Sequence, residues 1–111
     1  MEVSGSVINP SRMGTFTRVI GITRFNRPVY QNANKRYLYF WADDKDWKIG
    51  SDYTTAESNI ASKSDGNERD AHLVPVGNWS EVKKGGGWQA NSAIAVACTT
   101  TGTHPTAAEN L

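Results

Sequence analysis

Turn-forming residues interrupt this chain at short intervals, and this spacing limits what the chain can fold into. The main breaks are Gly5, Asn9-Pro10, Gly14, Gly21, residues 26–28, residues 32–34, Gly50, Gly66, Gly77 and residues 85–87. The runs between the breaks are rich in valine, isoleucine, threonine and aromatic residues, which favour extended backbone. The pattern therefore predicts an all-β fold, a small antiparallel sandwich or flattened barrel of six to eight short strands.

The individual strands can be located from these breaks. We expect them at residues 2–8, 15–22, 28–31, 36–42, 47–51, 72–76, 80–83 and 93–98, with one helical turn within residues 54–63. Asparagine tolerates positive φ, so residues 32–35 are expected to form a hairpin turn. The predicted core contains Phe16, Ile20, Val29, Leu38, Phe40, Ile49, Val74, Ile94 and Val96, together with one or more of the tryptophans.

The length of 111 residues suits a single domain. We assign residues 1–98 to one β domain and residues 99–111 to a polar tail that is expected to be disordered. Residues 64–70 are polar and are expected to form a mobile loop. We expect the isolated domain to be monomeric.

Charge and hydropathy exclude two classes of partner. The net charge is +1, without the dense basic stripe that nucleic-acid binding requires. No apolar run approaches the ~20 residues needed to cross a bilayer, so we expect no membrane insertion. The cellular compartment of the protein is not determined by the sequence. The triplet Asn78-Trp79-Ser80 is a glycosylation sequon and gives weak support to an extracellular setting within a larger protein.

The segment Tyr37–Trp41 is the strongest candidate for a binding surface. Side chains alternate along a strand, so Tyr37, Tyr39 and Trp41 are expected on one face and Leu38 and Phe40 on the other. Tyr30 would join the same face if its strand pairs across the asparagine turn. The predicted ligand-binding residues are therefore Tyr30, Tyr37, Tyr39 and Trp41.

An exposed row of such rings would suit the C–H faces of a sugar, or a protein surface. The alternative is that both faces of this strand are buried in a two-sheet sandwich.

The other residues capable of chemistry favour structural roles. Trp79 and Trp88 are expected to plug the core from loops, because exposed rings of this size lower solubility. Cys98 has no partner within the chain and is expected to be a small buried residue; a bridge to an outside cysteine and a catalytic thiol are the alternatives. The acids at 43, 44 and 46 are expected to form a solvated turn rather than a calcium site.

The sequence shows no constellation typical of an enzyme. No Ser-His-Asp order, pair of catalytic carboxylates or redox motif occurs in a suitable context. We therefore expect no catalytic activity, no cofactor and no metal site.

The chain resembles a small module that occurs, often repeated, in large multidomain proteins of marine protists, algae and some invertebrates. The residues that carry the resemblance are Val3-Ser4-Gly5, Gly14-Thr15-Phe16, Arg27-Pro28-Val29-Tyr30, Tyr37–Trp41, Trp47-Lys48-Ile49, Pro75, Trp79 and Gly87-Trp88. The resemblance covers residues 2–98 and implies an adhesive or recognition unit without an assigned activity. Copies of the module often carry a cysteine just before the first of these segments, which would suit pairing with a cysteine placed like Cys98; here Met1 or Glu2 stands there.

Two functions remain open on the sequence. One is a non-catalytic recognition or adhesion module that binds carbohydrate or a protein surface through the aromatic strand. The other is a structural spacer in a repeat array, with no ligand of its own. The spacer hypothesis predicts no exposed aromatic patch larger than a few hundred Å².

Overall fold

The computed structural model describes residues 1–63 and 66–98. Within these residues the chain forms ten strands: β1 (Glu2–Ser4), β2 (Gly14–Thr15), β3 (Thr17–Arg24), β4 (Arg27–Gln31), β5 (Tyr37–Trp41), β6 (Asp46–Gly50), β7 (Ile60–Ser62), β8 (Trp79–Val82), β9 (Trp88–Ala90) and β10 (Ala95–Ala97). Two 3₁₀ turns span Pro10–Arg12 and Ala71–Leu73. The predicted all-β class is confirmed, with more strands in the described part than the six to eight expected. The tail predicted at 99–111 lies outside the described residues, as do residues 64 and 65 of the predicted loop.

The strands form two antiparallel sheets. Strands β3 to β9 make a seven-stranded sheet in which each strand pairs with the next along the chain. Strands β10, β1 and β2 make a three-stranded sheet with β1 in the centre. The β1–β10 pairing, with Val3 opposite Val96, brings the two ends of the domain together.

The hairpin turn predicted at residues 32–35 joins β4 to β5. The side-chain oxygen of Asn32 accepts hydrogen bonds from the backbone N–H groups of Asn34 and Arg36, at 3.0 and 2.9 Å. Lys35 takes a left-handed conformation with φ of 59°. The asparagine side chain thus replaces backbone partners within the turn, as this residue type commonly does.

The hydrophobic core lies between the two sheets. Leu38 pairs with Ile49 and Phe40 with Trp47 across β5 and β6, and all four belong to one buried cluster with Val3 of the small sheet. Eight members of the predicted core are buried: Phe16, Val29, Leu38, Phe40, Ile49, Val74, Ile94 and Val96. Trp47 and Trp79 are also fully buried, which confirms that one or more of the tryptophans belong to the core. Trp79 lies on β8 rather than in the loop expected for it.

The prediction that Ile20 belongs to the core is wrong, since 81% of this residue is exposed. Arg18 pairs with Tyr30 and Thr23 with Pro28, so residues 19–22 of β3 face a single residue of β4. Such an excess of residues bulges the longer strand away from its partner. Ile20 therefore points to solvent from within the bulge, next to Gly21 with its positive φ of 85°.

Two other predictions of secondary structure are wrong. Residues 72–76 contain the end of a 3₁₀ turn rather than a strand, and Asp70 caps that turn by accepting the N–H of Ala71. Residues 54–63 form turns followed by β7, not a helix. Strands β7 and β9 have three residues each, which is too short for alternation to reveal them.

A buried carboxylate joins three distant segments of the chain. Glu81 on β8 is 2% exposed and accepts hydrogen bonds from Ser6 Oγ, from Asn9 Nδ2 at 3.1 Å and from Asn91 Nδ2 at 2.6 Å. Desolvation is the largest single influence on its pKa and raises it, but the three hydrogen bonds together lower the pKa below its ordinary value. The carboxylate is thus held charged by neutral donors.

Candidate functional site

The outer face of the seven-stranded sheet, the face turned away from the small sheet, carries Tyr37, Tyr39 and Trp41 as predicted. Leu38 and Phe40 point the other way, into the core cluster. The strand pairing extends this face across the sheet: Lys48 lies opposite Tyr39, and Ala61 and Ser80 follow in the same row. The outer face therefore combines the predicted aromatic residues with charged and small residues from β6 to β8.

The prediction that Tyr30 shares this face is wrong. Tyr30 lies directly opposite Leu38, so its side chain is on the inner face. Its hydroxyl donates to both carboxylate oxygens of Asp70, at 3.0 and 2.9 Å. Burial, reinforced by the charge of Asp70, raises the pKa of Tyr30 above its ordinary range. A ligand on the outer face would not reach this ring.

The ring of Tyr39 is on the predicted face but is fully buried. Its hydroxyl donates to the carbonyl oxygens of Thr55 and Glu57, both at 2.9 Å, so the segment at residues 51–58 covers it. Burial is the main cause that raises the pKa of Tyr39 to about 12. The sequence could not reveal this cover, because the segment has no regular pattern.

Tyr37 and Trp41, on either side of Tyr39, are half-buried. Tyr37 packs edge to face against Tyr53, with 5.0 Å between ring centroids. Trp41 packs edge to face against Phe25 at 5.3 Å, and the Arg24 guanidinium lies 5.3 Å from the Trp41 ring centroid. These contacts occupy much of both rings, so the four predicted residues do not form one continuous platform.

A second part of the outer face offers an open groove. The Trp88 groove, as we call it, has a volume of about 300 Å³ and is lined by Asp46, Lys48, Ala61, Ser62, Lys63, Ser80 and Trp88. Trp88 lies opposite Val82 on the edge strand β9 and is 51% exposed. The prediction that Trp88 plugs the core is therefore wrong.

The sequence contained one indication of this exposure. Residues 85–87 are three glycines, each with φ between 84° and 98°, and they turn the chain into β9. This turn places Trp88 on β9, the edge strand of the sheet, where no further strand in the described part of the chain covers the ring. Its neighbours in the groove come from β6, β7 and β8, and their convergence depends on strand pairing that the sequence did not reveal.

An ion-paired cluster forms the polar side of the Trp88 groove. Lys48 Nζ lies 3.0 Å from an oxygen of Asp44 and 3.2 Å from one of Asp46. Lys48 and Asp46 are both buried, and within the described residues Asp46 Oδ1 has no hydrogen-bond partner. Desolvation raises the pKa of Asp46 to about 6, although the charge of Lys48 opposes the shift.

The raised pKa of Asp46 gives a pH-dependent prediction. The folded state binds the proton of the Asp46 carboxyl more tightly than the unfolded state does. The resulting stabilisation is fully present below the ordinary pKa of 3.8 and is lost as the pH rises through about 6. Asp46→Asn cannot titrate, so we expect the variant to gain about 1–3 kcal/mol relative to the parent protein between pH 4 and pH 7.5. Urea unfolding at both pH values measures this gain. Asp43→Asn, at an exposed site in the same turn, is the control, and an equal offset at both pH values for Asp46→Asn would contradict the prediction.

Cys98 is exposed, which contradicts the expected burial. Strand β10 ends at Ala97, so this residue lies just beyond the paired segment. The two alternatives, a bridge to a cysteine outside the chain and a catalytic thiol, stay open.

The described residues show neither a metal cluster nor a membrane span. Within residues 1–63 and 66–98, no group of three or more histidine, cysteine, aspartate or glutamate side chains could hold a metal ion. In the same part of the chain, no helix has the length and apolar character needed to span a membrane.

Comparison of the chain with protein-family models, curated proteins and solved structures found no match.

Proposed function

We propose that the domain is a non-catalytic recognition module that binds carbohydrate through the outer face of its larger sheet, at the Trp88 groove. One observation carries the proposal: the half-exposed Trp88 borders an open groove that is also lined by the buried charged residues Asp46 and Lys48. The sequence pointed to an aromatic face of the same sheet, and the proposal moves the contact from β5 to β9.

The composition of the groove suits a sugar ring. The indole of Trp88 offers an apolar face for C–H groups, and the side chains of Lys48, Lys63 and Ser80 carry hydrogen-bonding groups for hydroxyls. Ala61 and Ser80 are small and leave space above the sheet. A volume of about 300 Å³ is at the lower end of the range for small-molecule sites, so it suits one or two sugar units.

Charge pairing within the groove favours a neutral sugar. Lys48 is held between two carboxylates, so its charge is largely compensated. Lys63 also lines the groove, so the two lysines balance Asp44 and Asp46 and little net charge remains. Lys48 is held by its ion pairs as a fixed hydrogen-bonding partner. Fixed partners reduce the ordering cost of binding.

The exposure of Trp88 also favours recognition over the spacer alternative. A spacer needs no exposed indole, and an exposed ring of this size carries a solubility cost. We further propose that the domain is one of the repeated modules it resembles. Further copies of the domain, encoded next to this segment in the same reading frame, would support this second proposal.

Trp88→Ala is expected to weaken carbohydrate binding by at least about tenfold, because it removes the stacking surface. It is expected to change the free energy of unfolding by less than about 1 kcal/mol, because the ring is half-exposed. A glycan array identifies a binding sugar, and isothermal titration then compares the parent protein with Trp88→Ala. Trp88→Phe retains a ring and should recover part of the affinity.

Leu73→Ala is the control for loss of an exposed apolar side chain, since this leucine is 53% exposed and outside the groove. It should leave the affinity unchanged. An array without any bound glycan would overturn the carbohydrate assignment. Equal affinity of Trp88→Ala and the parent protein would overturn the assignment of the site.

A further inference from the structure

A second cavity lies at the end of the large sheet where β3 turns into β4. It has a volume of about 400 Å³ and is lined by Phe25, Asn26, Arg27, Gly66, Asn67 and Arg69. Two arginines and two asparagines thus line one space, and none of the lining residues is acidic. We call it the Arg27–Arg69 pocket.

The fold holds Arg27 in a fixed orientation. Its guanidinium carbon lies 3.7 Å from the ring centroid of Phe40, and Nη2 donates to the carbonyl oxygen of Gly66 at 2.8 Å. Stacking and one hydrogen bond restrict the Arg27 side chain. The guanidinium has five N–H donors, so others are left to bind a ligand. A preoriented guanidinium loses less entropy when it binds an anion.

The tight hairpin before Arg27 shapes one wall of the pocket. Phe25 and Asn26 both have positive φ, 51° and 63°, the geometry of a two-residue turn between strands. The turn presents the Phe25 ring, 42% exposed, at the rim of the cavity. An apolar ring therefore lies beside the two arginines.

The charges of the two arginines are not compensated within the described residues, where neither takes part in an ion pair. Asp44 lies in the turn between β5 and β6, and Asp46 is the first residue of β6. Both are paired with Lys48. Glu68 lies next to Arg69 in the chain but does not line the cavity. The pocket thus favours a negatively charged group.

We propose that the Arg27–Arg69 pocket binds a sulfate or phosphate ester, with the two guanidinium groups on its oxygens and Phe25 against the organic group that carries it. Planar guanidinium groups match tetrahedral oxyanions through paired N–H donors. The inference is independent of the Trp88 groove, since the two cavities share no lining residue.

The test uses three probes that differ in one group: glucose 6-sulfate, glucose 6-phosphate and glucose, titrated at constant ionic strength. Backbone amide chemical shifts are expected to change and saturate at residues 25–27 and 66–69 with a charged probe, and to stay unchanged there with glucose. The ester that saturates at the lower concentration identifies the source of the oxyanion.

Variants then test the two arginines. Arg69→Gln is expected to weaken binding of the charged probe by about tenfold, the loss of one charge-assisted contact. Arg27→Lys retains the charge but loses the planar fork, so it should also weaken binding. Arg18→Gln, at an exposed site towards the other end of β3, is the matched control and should leave binding unchanged.

Three results would overturn the inference: no saturable shift with either ester, equal shifts with glucose, or equal weakening by Arg18→Gln and Arg69→Gln. The last result would show diffuse attraction by net charge. Trp88→Ala should leave ester binding at this pocket intact, so failure here and failure of the proposed carbohydrate site are distinguishable.

Discussion

Gly5→Ala is expected to lower the free energy of unfolding by about 4 kcal/mol, because a methyl group at this position has no space. A Cβ on Gly5 would lie 1.9 Å from the carbonyl oxygen of Ala93 and 2.7 Å from Cα of Ile94. Both are backbone atoms at the start of the segment that enters β10, so relief requires the backbone itself to shift. Gly5 also has φ of 105°, which alanine rarely adopts.

The control for Gly5→Ala is Gly14→Ala, which separates the steric overlap from the backbone strain. Gly14 has a similar φ of 98°, but a Cβ there meets no atom within 4 Å. We expect this variant to lose about 1–2 kcal/mol from strain alone. Urea unfolding of both variants measures the difference, and equal losses would contradict the assigned close contact between the Gly5 segment and β10.

Glu81→Ala is expected to cost about 4 kcal/mol, because two buried donors, Ser6 and Asn9, and the half-buried Asn91 lose a charged acceptor at once. Hydrogen bonds to a charged group contribute about 1.5–3 kcal/mol each, and the three here are not additive. The variant also disconnects Ser6 and Asn9 from Asn91, segments that flank β1 and β10. Glu57→Ala, at an exposed position, should change stability by less than about 0.5 kcal/mol.

The pH dependence of the Glu81 effect follows from its lowered pKa. The stabilisation by the carboxylate is present above its ordinary pKa of 4.5 and is lost as the pH falls through the lower pKa of the folded state. The difference between the parent protein and Glu81→Ala should therefore shrink between pH 7 and pH 3. A difference that stays constant over this range would show that Glu81 contributes by packing alone.

Local chemistry explains what was predictable about the fold. Alternation within Tyr37–Trp41 correctly separated Leu38 and Phe40 from the outer residues, because pleating is a property of the strand itself. The turn at residues 32–35 was predicted from the tolerance of asparagine for positive φ, but the residue with positive φ is Lys35. The turn is held instead by the Asn32 side chain, which bonds to backbone only two and four residues ahead. Neither inference needs information about distant parts of the chain.

The candidate sites were much less predictable. The face of Tyr30 depends on the register of β4 against β5, and a shift of one residue reverses every side chain. The burial of Tyr39 depends on a segment about fifteen residues further along. Trp88 was expected inside the core because its size alone favours burial, whereas its position on an edge strand leaves half of it in solvent.

The sequence by itself determined the all-β class, the main turns and most of the core, because these follow from backbone preferences and side-chain alternation over a few residues. The tertiary structure alone decided the strand register, the bulge that exposes Ile20 and the residues that meet at the two cavities. Those features depend on which distant segments come together, and local propensity contains no information about that choice.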